Sequence, residues 1–277
     1  RSCFWHDECQ AFLVVYVDDF KLAAPKEHME RLWRDMRGDP DHPENGGVYL
    51  GKPAALDRFV GCRHKVTEQT AADGHKVRRI EYDMEPFFTD ALQRYCNMTH
   101  QSLEDLVPAK TPFLDEDQLR KQHGIGPGGF RLDDSACKKK PTKNKQPKAK
   151  SLQKEGSSTT DNEEKVPAGV LQPLAASALM QMLYGARYAR PDLLRAIAAL
   201  ARKITKWRPM QDLQIQRLMC YIKSTLSYRQ YGWVGDSKES LELRLFADSD
   251  LASDPEDSLS TSGAFFALVG PHTYMPI

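Results

Sequence analysis

Phe12-Leu13-Val14-Val15-Tyr16-Val17-Asp18-Asp19 is the stretch on which the reading of this chain turns. It lies in the longest apolar run, residues 11–17, which is β-branched and apolar on both faces as a buried strand would be. Residues 20–24 resume the apolar pattern after the acidic pair, so residues 10–24 are expected to form a β-hairpin with Asp18 and Asp19 in its two-residue turn. Adjacent carboxylates pose an electrostatic problem, because like charges raise each other's pKa unless a cation compensates them. Hard divalent cations such as Mg²⁺ prefer carboxylate oxygens and keep open positions for phosphate. Two such ions about 3.5–4 Å apart can activate an attacking hydroxyl and stabilise a leaving pyrophosphate. Ordinary turn chemistry, in which Asp is favoured, is the competing reading of a bare Asp-Asp pair. A Tyr-Val pair ahead of it inside an apolar strand favours the metal.

Working outward, residues 25–36 carry Met29, Leu32, Trp33 and Met36 at helical spacing behind Pro25. Residues 59–66 and 77–82 read as strands around the Asp73-Gly74 turn, and residues 85–96 as a second helix. From residue 116 to 166 come a glycine cluster, a lysine run from Lys138 to Lys150 and a polar tract. Such composition buries too little apolar surface to offset chain entropy, so a disordered linker is expected. Three helices follow: residues 174–187, a second opening at Pro191, and a third ending near Leu226. Their apolar stripes (Leu194, Ile197, Leu200, Ala201, Ile204; then Ile215, Leu218, Met219, Ile222, Leu226) are read as core. Beyond Gly235 the period becomes two, giving an antiparallel hairpin of a strand through Leu241, Leu243 and Leu245, with Asp248 near its end, and a strand over residues 263–269. The expected class is α+β, in four parts: 1–115, the linker 116–166, a helical part 167–235 and a final hairpin 236–277.

The 277 residues, 40% apolar and 28% charged, can build a sizeable core. No run of about 18 apolar residues occurs, which excludes a transmembrane helix and leaves no membrane partner expected. Six scattered cysteines are too few for a disulfide scaffold and suit a reducing, intracellular setting. Cys3, His6 and Cys9 could place three ligands on zinc, but no fourth completes the pattern. Net charge is only +1, yet its distribution is uneven: +8 over residues 187–229 and −6 over residues 236–257. A basic block beside an acidic one suits a polyanion-binding surface next to a metal-binding one, as well as two unlike solvated faces. The chain opens at Arg1 without start features and is read as a piece of a longer protein.

The stretch from Phe12 to Asp19 resembles the polymerase motif of reverse transcriptases, most closely the copia-type retrotransposon polyprotein. The resemblance continues in order. Ser2-Cys3-Phe4 is similar to the segment before that strand, and Phe59-Val60-Gly61-Cys62 to one that follows it. Glu81-Tyr82 through Tyr95-Cys96-Asn97-Met98 resembles the thumb helix, and Ala109-Lys110-Thr111-Pro112 the stretch after it. Ala178-Leu179-Met180 through Tyr184, then Arg190-Pro191-Asp192-Leu193, resemble the helical connection. Leu245-Phe246-Ala247-Asp248-Ser249-Asp250, Asp254-Pro255 and Ser260-Thr261-Ser262-Gly263 resemble the opening hairpin of the family's ribonuclease H domain.

The resemblance implies that 1–115 is the end of a reverse-transcriptase palm with a thumb-like unit, and 236–277 a truncated RNase H-like domain. It makes Asp18 and Asp19 catalytic Mg²⁺ ligands (Mn²⁺ as an alternative), Tyr16 a neighbour of the primer end, and Asp248 the first acidic residue of the hybrid-cutting site. Asp250 is a weaker candidate there. The implied partners are an RNA/DNA template-primer, deoxynucleotides and the remaining polyprotein segments. Arg195, Arg202, Lys203 and Lys206 are the residues expected to grip the nucleic-acid backbone. The implied locations are a cytoplasmic particle and the nucleus. Leu251 stands where the family has Trp, and Ala189 where it has Thr, which marks a divergent lineage. The rival reading is an inactive transposon remnant or a non-enzymatic nucleic-acid-binding protein.

Overall fold

Apolar residues on either side of the acidic pair fold back on one another in the computed structural model. It describes residues 2–38, 46–124, 168–250 and 260–277. Strands β1 (Cys3–His6), β2 (Ala11–Tyr16) and β3 (Asp19–Ala23) form an antiparallel sheet in that order. Tyr16 pairs with Asp19, so the turn is Val17-Asp18, one residue earlier than expected. The strand is not buried on both faces: only Ala11 is buried, and Phe12 is 41% exposed. The reason is coverage, since three short strands and the single helix α1 (Lys26–Arg37) cannot enclose two faces. Met29, Leu32, Trp33 and Met36 do share one half-buried stripe of that helix.

A second sheet of seven antiparallel strands follows, in the order β4-β5-β6-β7-β10-β9-β8. Its members are β4 (Arg58–Phe59), β5 (Cys62–Thr70), β6 (Lys76–Asp83), β7 (Gln230–Val234), β8 (Glu242–Asp250), β9 (Thr261–Gly270) and β10 (Thr273–Pro276). The expected strand over residues 59–66 is broken by a two-residue turn, Val60-Gly61, with φ +51° and +78°. Both turn residues left-handed is the hairpin geometry that matches strand twist. The sequence pattern marks no strand over residues 230–234. Tyr231 and Trp233 instead lie inside the sheet, and β7 joins β6, 150 residues earlier, to β10. On β8 the apolar alternation does not face a core: Leu243, Leu245 and Phe246 are all exposed, because β8 is the sheet's edge.

Two compact units interleave along the chain. One comprises Arg1–Phe87, Tyr188–Arg190 and Ser227–Ile277, so residues 242–250 and 261–276 share a sheet with 58–83 where the sequence reading sets them apart. The other comprises Phe88–Arg187 and Pro191–Leu226 and is helical. Helix α2 (Glu85–Thr99) begins in the first unit and contributes Phe88, Leu92, Tyr95 and Cys96 to the second unit's core.

The second unit corrects the linker. Residues 116–123, expected to be disordered, form helix α3 (Glu116–His123). Asp115 caps it by accepting from the Gln118 N–H at 2.7 Å, Gly124 ends it at φ +62°, and Leu119 is fully buried. Residues 125–166 of that expected linker lie outside the described residues. Helices α4 (Gln172–Ala189), α5 (Leu194–Ala201) and α6 (Pro209–Ser224) match the three expected, with 3₁₀ turns at Pro191–Leu193 and Ile204–Lys206 flanking α5. Ile197 and Leu200 of α5 and Ile215, Leu218, Met219 and Ile222 of α6 are buried as the stripes predict. Trp207, also buried, donates its indole N–H to Asp212 at 2.7 Å, and Asp212 accepts the Val170 and Leu171 N–H groups at the start of α4.

Candidate functional site

Val17 and Asp18 close the β2–β3 hairpin. Val17 has φ +54°, a left-handed conformation that a β-branched residue rarely adopts, and it is 85% exposed. Strained positions of this kind cluster at functional sites, where surrounding structure over-determines them. Tyr16, Asp18 and Asp19 are exposed beside it. Asp19 Oδ2 accepts the Val60 N–H at 3.2 Å, which ties the hairpin tip to the β4–β5 turn. The Phe12–Asp19 and Phe59–Cys62 segments, which lie on either side of α1 in the sequence, therefore meet in space. Lys21 reinforces the contact, its ammonium 5.4 Å from the Phe59 ring centre.

Asp18 also lines a broad cleft of ≈ 1340 Å³ between α1 and the segment from Leu50 to Phe59. Its walls carry six cations, among them Lys26, Arg34, Arg37 and Arg58, against the carboxylates of Asp18, Glu30 and Asp57. Excess positive charge around Asp18 suits a ligand that brings phosphate together with a divalent cation. Among the described residues neither Asp18 nor Asp19 makes an ion pair within 4 Å.

Asp248 does not join this group. It sits exposed on β8 opposite Gly263, at the far edge of the large sheet from β4. Six strand spacings separate those edges, roughly 29 Å. The four basic residues belong to the helical unit. Arg195, Arg202 and Lys206 are exposed and Lys203 is half-buried, with the Arg195 guanidinium 5.5 Å from the Phe113 ring centre. Other cations of the basic block serve the fold. Arg217 donates to Thr111 and Gln122, and Lys223 donates to the Leu106 carbonyl.

Beneath the hairpin tip, His64 is 3% exposed on β5, edge-on to Tyr82 and Tyr188. Burial, with the Lys21 charge nearby, pushes its pKa down to about 4. Burial likewise pushes the Cys62 thiol up to about 12 and lowers Lys21. His64 and Cys62 are therefore neutral packing rather than acid or base catalysts at neutral pH.

The Cys3, His6 and Cys9 combination forms no ligand group. Cys9 Sγ instead accepts from Arg31 at 2.8 Å, and His6 Nδ1 accepts the Cys9 N–H at 3.4 Å. Among the described residues a different cluster is close enough to share an ion: His75, Asp236 and His272. Sequence reading missed it, because the three come from turns 36 to 197 residues apart and no spacing links them. The Asp73-Gly74 turn was the sole local signal.

Comparison with known protein families, with characterised proteins and with solved structures finds no match to this chain. Among the described residues no helix is long and apolar enough to cross a membrane.

Proposed function

We propose that this chain carries part of the nucleotidyl-transfer centre of a copia-type reverse transcriptase, with a piece of the adjoining ribonuclease H. The observation behind the reading is the Tyr16-Val17-Asp18-Asp19 hairpin tip. Among the described residues its two exposed carboxylates make no ion pair within 4 Å, and one of them faces a cleft rich in Lys and Arg. In this reading the three-stranded sheet is palm, residues from Arg58 onward lead into a thumb-like unit, and β8 and β9 open the RNase H-like part. The all-oxygen donor set fits Mg²⁺, or Mn²⁺, better than a softer metal. Asp18 and Asp19 would hold the ion, and the family's third palm carboxylate would lie upstream of Arg1. When bound, the ion would neutralise charge developing on the α-phosphate as a primer 3′-hydroxyl attacks. Tyr16, exposed on the same tip, would abut the primer end. The cleft cations would orient triphosphate, and Arg195, Arg202, Lys203 and Lys206 would hold the backbone of an RNA/DNA hybrid without reading its sequence. Asp248 would belong to the separate hybrid-cutting centre.

Primer extension by the longer polypeptide containing this chain tests the reading. Asp18→Ala with Asp19→Ala should lower the rate by roughly a thousandfold or more; unchanged extension would overturn the assignment. A second reading, a nucleic-acid-binding remnant, is favoured by basic residues that lie in a different unit from the acidic pair. It requires that this chain bind a hybrid duplex with a steep salt dependence while the longer wild-type polypeptide extends no primer.

A further inference from the structure

Three turns of the first unit converge on His75, Asp236 and His272, and each supplies one donor atom within 4.8 Å of the others. His75 immediately precedes β6, Asp236 follows β7, and His272 lies between β9 and β10. The two imidazoles stack, centres 4.1 Å apart and planes 14° apart.

Hydrogen bonding fixes which nitrogens are available. His75 Nε2 lies 2.7 Å from the Gly235 carbonyl oxygen, which can only accept, so Nε2 carries the proton and Nδ1 keeps a lone pair. His272 Nε2 lies 2.5 Å from Asp73 Oδ2, so it too carries a proton donated to a carboxylate. His272 Nδ1 then faces Asp236 Oδ1 at 3.3 Å, and both atoms offer lone pairs. A cation must sit between them, either a proton or a metal ion. Zinc bonds of about 2.0–2.1 Å set tetrahedral ligand edges at about 3.3 Å, which is the separation found. The outer contacts also match a metal centre, where ligating imidazoles donate their other N–H to a carboxylate or a backbone carbonyl. Asp73 and Gly235 stand in those places.

Asp236 is held for the role. Its side chain is 7% exposed, and its second oxygen accepts the His272 N–H at 2.7 Å. Thr273 Oγ1 accepts the N–H groups of Gly235 and Asp236, both at 3.1 Å. A Cβ on Gly270 would approach Asp236 Oδ2 to 2.5 Å, so the carboxylate packs where only glycine leaves room.

We propose that His75, His272 and Asp236 form a binding site for a borderline divalent transition metal, Zn²⁺ first, the two stacked imidazoles turning apart to direct a free ring nitrogen at the ion and water completing four-coordination. Two imidazoles and one carboxylate select zinc over magnesium. The site is therefore independent of the carboxylate pair at the hairpin tip.

Isothermal titration of the untagged, EDTA-stripped chain with ZnCl₂ at pH 7.5 tests this, alongside thermal melts and Co²⁺ absorption spectra. One ion per chain should bind, raise the melting midpoint reversibly to EDTA, and give the visible d–d bands of four-coordinate Co²⁺; millimolar Mg²⁺ should not compete. His75→Ala and Asp236→Asn should each weaken binding at least a hundredfold, and Asp73→Asn about tenfold. If Asp236→Asn fails to fold, His75→Ala decides, because its ring is exposed. Absence of a zinc-dependent shift in the wild type, or binding unmoved by His75→Ala, would overturn the site. Binding lost on Cys3→Ser would overturn it too.

Discussion

Glu81, Asp83 and Glu85 crowd three carboxylates into one corner of the first unit, and Asp18 and Asp19 put two at a hairpin tip. The corner carries its own cation. Arg229, 13% exposed, places Nε 3.1 Å from Asp83 and 3.8 Å from Glu81, and its guanidinium also bonds Glu85. Arg79 adds a contact to Glu81 at 3.2 Å while lying over the Tyr231 ring. At the tip, the side-chain contact found among the described residues is one backbone N–H, that of Val60, on Asp19. Clustered acids that serve the fold are neutralised from within; acids left without a guanidinium, beside a cation-lined cleft, await charge from outside. That difference separates an acidic cluster compensated from within from one left open to charge from outside.

The largest effect should come from removing the internal cation. Arg229→Met keeps the side-chain stem but takes the shared guanidinium from Asp83 and Glu85 and leaves Glu81 with Arg79, and should cost about 3 kcal/mol in urea unfolding at pH 7 with little change in m. Arg229→Lys should recover part of that loss, since an ammonium supplies charge without the fork that reaches several carboxylates at once. A cost under about 1 kcal/mol would mean the corner is as solvent-compensated as the tip, and the contrast would fail.

Neither cluster was equally visible in the sequence. The tip was legible because its chemistry is contiguous: an apolar strand, two acids and a returning strand fall within one window, and the turn shifted by a single residue. The Arg229 corner was half visible. Glu81, Asp83 and Glu85 alternate along β6 into α2, but the cation comes 144 residues after Glu85 in sequence, just ahead of a strand that periodicity did not mark. Five residues of β7, Gln-Tyr-Gly-Trp-Val, are too short and too mixed to register, yet they join residues 58–83 to 261–276 in one sheet. Helix α3 was hidden for a different reason. Its Asp115 cap and Gly124 stop were present in the sequence, but the polar composition around Leu119 outweighed one buried residue. The His75, Asp236 and His272 cluster depends wholly on that long-range sheet pairing, and no local pattern could have announced it.

Lowering the pH sharpens the contrast at the base of the hairpin. His64 stays neutral in the fold down to about pH 4, whereas an unfolded imidazole takes its proton near 6.5. Between those values the unfolded chain binds more protons, so the stabilisation is complete above pH 6.5 and is lost as pH falls toward 4. The expected loss across that window is about 2–3 kcal/mol. Lys21, Cys62, Tyr82 and Tyr188 surround the ring, and none offers a carboxylate that would hold the proton in place. Urea midpoints of the wild type and of His64→Leu, followed from pH 7 to 4, check this: the variant should lose most of the acid slope. Equal slopes would place the titration elsewhere, in the acidic corner first.

The smallest effect should be at the tip itself. Asp18→Asn with Asp19→Asn preserves an acceptor for the Val60 N–H and removes two exposed like charges. The unfolding free energy should change by no more than about 0.5 kcal/mol, and upward, because adjacent carboxylates repel in the folded hairpin. Millimolar MgCl₂ should then raise the melting midpoint of the wild type more than that of the variant, since only the wild type has carboxylates at the tip to gain from the ion. A fall of 1 kcal/mol or more, about the worth of a net intramolecular hydrogen bond, would show that the tip acids hold the fold together as Arg229's partners do. Equal responses to magnesium would leave the ion no preference for the tip, and the distinction between inward and outward compensation would not apply there.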